Sequence, residues 1–175
     1  MSIVVQGKDI HSLADVNIRL AEIHDALLLW KWANDPVTRR YSFNSEPIPW
    51  DVHQSWCAKK LASLDCRLWI MELEKIAVGQ IRYDRISADT GQISFSVAPF
   101  VRGRGLGTLL LEMTVPMAAR DLGLKWVKGI ALNDNHASQR AFVKAGFKVS
   151  EHQGGNGREC VVFQRSCECR RVAES

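Results

Sequence analysis

VRGRGLGTLLLEM, residues 101–113, sets three glycines and two arginines ahead of a leucine-rich run. Glycine permits a turn whose successive N–H groups point inward, and a helix N-terminus adds a positive field, so the stretch has the parts of an anion cradle. It reads equally well as a basic loop that caps a core helix. Two common phosphate motifs do not fit. The dinucleotide fingerprint needs a third glycine where Thr108 or Leu110 stands, and the Gly-Lys-Ser/Thr of a Walker loop is absent.

Working outward, the periodicity predicts a strand at Val16–Leu20 and a helix over 24–32, halted before Pro36. A proline-containing loop over 37–50 follows, then a helix over 50–62 that carries His53, Trp56 and Lys60. Apolar-rich strands over 66–75 and 76–86 meet at a polar turn near Glu74 and Lys75. A third strand, 91–97, completes an antiparallel meander before Pro99. Beyond the glycine turn the order becomes helix (105–122), strand (125–132), helix (135–146) and two strands (147–154 and 157–165). A meander followed by alternating helices and strands predicts a mixed α/β sheet.

The 175 residues, without a linker or repeat, are expected to form a single domain over 1–175, with 166–175 as a frayed polar tail. A net charge of +4 from scattered basic residues argues for neither nucleic acid nor membrane. The opening residues lack a secretory pattern, and no apolar run reaches the roughly 20 residues of a membrane span. Five cysteines without framework spacing suit a reducing compartment, so a cytoplasmic location is expected. Cys167 and Cys169 have the wrong spacing for a metal knuckle, and no metal is expected.

The larger pattern narrows the choice. RGRGLG, 102–107, matches Arg/Gln-x-x-Gly-x-Gly/Ala, and NDNHASQRAFVKAGF, 133–147, joins an asparagine to a helix ending in Lys-x-Gly-Phe. In these motifs, their distance and their order, residues 20–165 resemble the GNAT superfamily of acyl-coenzyme A-dependent N-acetyltransferases. The resemblance implies the GNAT fold: a twisted, mixed, mostly antiparallel sheet of about seven strands flanked by about four helices, with a splayed strand pair at the cofactor. It implies acetyl-CoA as cofactor, its pyrophosphate held by the amides of Arg102, Gly103, Arg104, Gly105, Leu106 and Gly107, with Thr108 beside them. Side chains on the three glycines would block that approach. Phe95 and Val97 would pair with the pantetheine arm, and an N–H near Val97 would stabilise the oxyanion. Asn135 would bind the cofactor arm or simply start its helix, with Ser138 and Arg140 further along. One departure stands out: Phe142 occupies a position where many relatives carry a tyrosine proposed to protonate the thiolate.

The run 27–56 resembles sugar-nucleotide N-acetyltransferases, notably those acting on the 4-amino group of a UDP-linked 4-amino-4,6-dideoxy sugar in pseudaminic acid biosynthesis. That implies a small-molecule amine as partner and an acceptor site drawn from Trp32, Asn34, Arg39, Phe43, His53 and Trp56, with Tyr83 and Ser94 from the strands. His53 has a pKa suited to deprotonating the amine, although a packing histidine and core tryptophans fit the same pattern. Glu72 and Asp84 could relay a proton or form strand-edge salt bridges. Acetylation of a ribosomal-protein N-terminus and a non-catalytic acyl-CoA sensor are the alternatives, and the sequence leaves monomer and homodimer open.

Overall fold

Glu74 and Lys75 adopt positive φ, 48° and 66°, and close a two-residue hairpin whose twist matches the strands it joins. Those strands, β4 (Cys66–Leu73) and β5 (Ile76–Arg85), are the second and third of a seven-stranded sheet ordered β3-β4-β5-β6-β7-β9-β8. The others are β3 (Val16–Leu20), β6 (Thr90–Val97), β7 (Trp126–Leu132), β8 (Lys148–Gly155) and β9 (Arg158–Ser166). A computed structural model describes residues 3–5, 8–10, 16–155 and 158–168. It adds a small antiparallel pair, β1 (Ile3–Val5) and β2 (Lys8–Ile10), which the sequence reading did not anticipate.

Strand alternation assigns the two faces of the sheet. On β5, Gly79, Ile81 and Tyr83 are buried, while Gln80, Arg82 and Asp84 are only half-buried. The first set faces α4 (Leu106–Leu122), where Tyr83 Oη and Thr114 Oγ1 lie 2.9 Å apart. The second faces α3 (Trp50–Ala62), whose Lys60 reaches Asp84. Leu106, Leu110, Leu111 and Val115 carry α4 into the core, the packing that fixes the position of the glycine turn before it.

Two local readings change. The stretch expected to be loop contains α2 (Pro36–Arg40), where Asp35 Oδ1 caps the Thr38 N–H at 3.1 Å and Pro36 occupies the first turn. The helix expected from residue 24 begins as a 3-10 turn, Ile23–Asp25, before α1 (Ala26–Ala33). At the other end Cys167 donates its N–H to Lys125 O at 2.8 Å, and residues 169–175 of the expected frayed tail lie outside the described residues.

The feature that makes a site is a parting of strands. β6 and β7 run parallel and pair from Thr90↔Trp126 to Ile93↔Gly129, after which they diverge. Phe142, on α5 (His136–Lys144), sits at the fork: a Cβ on Gly129 would lie 2.1 Å from its Cζ. The ring also packs on Phe95, Phe147 and Phe163 with centroids 5.1–5.4 Å away. Gly129→Ala will therefore lower stability by about 3 kcal/mol, the upper range for overpacking a core. Chemical denaturation checks this, and Phe142→Leu added to Gly129→Ala should recover part of the loss; an unchanged midpoint in the single variant would contradict the wedge.

Candidate active site

A cleft of about 900 Å³ opens at the parted strands. One wall is the glycine turn. Gly105 has φ +80°, caps α4 from the left-handed region and has nothing within 4 Å of a would-be Cβ. The first backbone bonds of α4 run from the Thr108 and Leu109 N–H groups to Gly105 O, at 3.0 and 3.2 Å. The amides just before them have no intrahelical acceptor and suit an anion. Gly103, Gly105, Leu106, Gly107 and Thr108 line the cleft, as do Asn135, Ser138 and Arg140 of the facing helix.

Three details of this wall add to the sequence reading. Gly107 is glycine for packing: its Cβ would stand 3.1 Å from Phe95 Cε2, between α4 and β6, rather than against a ligand. Arg102 is bound to protein, donating to Asp35 Oδ1 at 2.5 Å, Thr38 Oγ1 at 3.2 Å and Val97 O at 3.3 Å. Burial pushes the Asp35 carboxyl up, but Arg102 and the Thr38 N–H outweigh it and hold it below its ordinary value. Arg104 is half-buried in the turn and is not among the lining residues. The Asn135 Oδ1 takes the Ser138 N–H at 3.1 Å, so the residue caps α5 while it lines the cleft.

The second wall is the free edge of β6. Ala98 donates its N–H to Val78 O at 2.8 Å, and Ser96 stands opposite Gln80, so by antiparallel alternation the main-chain groups of Phe95 and Val97 point away from β5. Beyond Ile93 no β7 residue pairs with them. The Val97 carbonyl takes Arg102, which leaves the Val97 N–H directed at the gap.

The other half of the cleft, where the sequence reading expects the acceptor, lies under α3 and the 37–48 segment. Arg39 braces that segment through Ala33 O, Asn44 O and the Ser42 hydroxyl at 2.6, 3.2 and 3.0 Å. Arg158 holds it from β9 through Arg40 O and Ser42 O, at 3.0 and 2.8 Å. Phe43, His53, Trp56 and Ser94 line the cleft with Arg39. His53 is 3% exposed, between the Trp50 and Trp56 rings at 6.5 and 5.1 Å, and its Nε2 is buried without a hydrogen-bond partner among the described residues. Burial pulls its pKa below the ordinary 6.5, partly offset by a hydrogen bond to the Ala26 carbonyl. Nε2, unpartnered among the described residues, is the ring nitrogen left to take up a proton.

Trp32, Asn34 and Tyr83 do not reach the cleft. Trp32 is buried in the core, on the stripe of α1 shared with Leu29. Asn34 binds Ile48 on both sides, its Oδ1 accepting from the Ile48 N–H at 2.7 Å and its Nδ2 donating to Ile48 O at 3.1 Å. Tyr83 points to α4, and alternation puts Arg82 on the cleft instead. Glu72 is bound to Arg19 and Asp84 to Lys60 and Arg82, so neither lines the site.

The comparisons agree with this geometry. The acetyltransferase (GNAT) domain family model matches residues 15–148. The chain is 24% identical over 147 residues to an uncharacterized protein of Methanocaldococcus jannaschii, covering 82% of this chain but only 30% of that protein's length. Its fold is similar to that of Vibrio cholerae spermidine N-acetyltransferase solved with CoA and spermine, with TM-score 0.78, 16% identity and coverage of 87% and 96% of the two chains. It is similar also to aminoglycoside acetyltransferase AAC(6')-Ib with ribostamycin and coenzyme A, with TM-score 0.77, 18% identity and coverage of 92% and 99%. With the glycine turn, the parted strands and a family match over most of its length, the chain belongs to the GNAT acetyltransferase family.

Proposed function

We propose that this enzyme transfers an acetyl group from acetyl-CoA to the amino group of an anionic acceptor, a UDP-linked 4-amino-4,6-dideoxy sugar, by direct attack in a ternary complex. One observation carries the acceptor. The described lining contains no aspartate or glutamate, and besides Arg39 and Arg102, which are already bound to protein, Arg82, Arg140 and Lys144 bring positive charge to it. A polycationic amine gains nothing from such a cleft; a nucleotide diphosphate does, and the exposed Phe43 offers a face to its uracil or deoxysugar.

Bound acetyl-CoA supplies a thioester activated towards amines. The amides from Gly103 to Gly107 would hold its pyrophosphate, and the main chain of Phe95 and Val97 would align its arm in the parted strands. The Val97 N–H, directed at the gap, would be the donor for the carbonyl oxygen under attack. His53, neutral at pH 7, takes the proton that an acceptor ammonium must lose before attack. Phe142 has no proton to give, so its ring shapes the fork rather than serving as an acid; as the amide C–N bond forms and the C–S bond breaks, the leaving sulfur would take the second proton of the attacking amine, directly or through water.

Acetyl transfer measured across a panel of amines tests the reading. The nucleotide-linked aminosugar should exceed spermidine and an N-terminal peptide in kcat/KM by about 100-fold or more, the scale of two charge-assisted contacts. Preference for either of the others would overturn it, and tight acetyl-CoA binding without turnover of any amine would point to a sensor.

A further inference from the structure

We infer that Arg82 determines acceptor specificity: its guanidinium receives an acidic group of the acceptor, a phosphate in the nucleotide-sugar reading on which this inference rests. Arg82 lies mid-strand on β5, opposite Leu68 of β4 and Ser94 of β6, and lines the acceptor half of the cleft. Its Nε donates to Asp84 Oδ2 at 2.6 Å, and its guanidinium carbon lies 4.9 Å from the Trp56 ring centroid. These contacts fix the position and plane of the group. Nη1 and Nη2 have no hydrogen-bond partner among the described residues, and the side chain is 22% exposed.

The local charge is also unbalanced. Asp84 is shared between Arg82 and Lys60, which reaches its Oδ1 at 2.7 Å, so two cations face one carboxylate. An arginine present only for that ion pair would have no need to line a cleft with its outer nitrogens unpartnered. A guanidinium held at Nε and across one face, with its two outer nitrogens presented, matches the spacing of two oxygens on a phosphate or carboxylate. Lysine at this position would keep the charge and lose the fork.

Calorimetry on the protein saturated with coenzyme A tests the site, because the cofactor then fills its own phosphate subsites. The probes are UDP, inorganic pyrophosphate and succinate, each against wild type, Arg82→Gln and Arg82→Lys. UDP and pyrophosphate should bind wild type, weaken about tenfold or more in Arg82→Gln and fall between in Arg82→Lys. In turnover, KM for the anionic acceptor should rise by more than kcat falls, with KM for acetyl-CoA unmoved, a split that general loosening of the fold would not give. Equal affinities in wild type and Arg82→Gln, or no binding of any probe to wild type, would overturn the inference. Arg82-dependent binding of succinate alone would keep the anion fork and remove the nucleotide sugar. Should Arg82→Gln fail to fold, Arg82→Lys decides: unchanged affinity for all three anions refutes the fork.

Discussion

Gly105→Val will weaken acetyl-CoA binding about 1000-fold while leaving the sheet assembled. Gly105 holds φ at +80°, a region that costs a β-branched residue on the order of 1–3 kcal/mol. Valine relaxes that strain by turning the peptide planes on either side of it, and the amides of the turn then no longer converge on one point. Losing two charge-assisted contacts to a pyrophosphate, each about 2 kcal/mol, gives the expected factor. Gly146 is the control. It too has φ +80°, but it lies past the end of α5, outside the lining of the cleft. Gly146→Val should melt earlier and bind the cofactor as wild type does. Calorimetry finding wild-type affinity in a folded Gly105→Val protein would end the cradle reading.

His53→Gln should lower kcat/KM about 100-fold at neutral pH, the low end for loss of a general base. The pH dependence carries the sign. Burial lowers the imidazole pKa, so the wild-type base is already free at pH 7 and becomes protonated only as pH falls through that lowered value. The wild-type rate should fall on the acid side with two ionisations, His53 and the acceptor amine. In His53→Gln the His53 ionisation disappears, and only that of the amine remains. Glutamine preserves a polar group between Trp50 and Trp56, which separates proton transfer from packing. Profiles of the same shape between pH 5 and 9 would remove His53 from the proton path.

The glycine turn and α4 were legible because two independent signals coincide there, a run with only glycine at the turning positions and an apolar stripe that must be buried. The meander was legible from alternation and from the Glu74–Lys75 turn. What alternation could not give was which face of β5 meets the cleft. IRYDR alternates cleanly, yet choosing Arg82 over Tyr83 requires knowing that α4 covers the odd-numbered side. The five residues of α2 are too few to show a helical period, although Asp35-Pro36-Val37-Thr38 is a cap-and-proline start that could have been read. Trp32 and Asn34 share a short run with residues that do reach the acceptor half. Proximity in sequence does not separate a side chain on the inner stripe of α1 from one on its outer turn.

The Asp35–Arg102 pair has a consequence for how the two substrates sense each other. Asp35 starts the short helix whose Val37 and Thr38 line the acceptor half, and Arg102 opens the turn that faces the cofactor while gripping the Val97 carbonyl. The two loops are therefore tied by an ionic joint, with the Thr38 hydroxyl as a second acceptor. A shift of the turn would load that joint. Coupling through it would be reciprocal: whatever acetyl-CoA did to acceptor affinity, the acceptor would do to acetyl-CoA by the same factor.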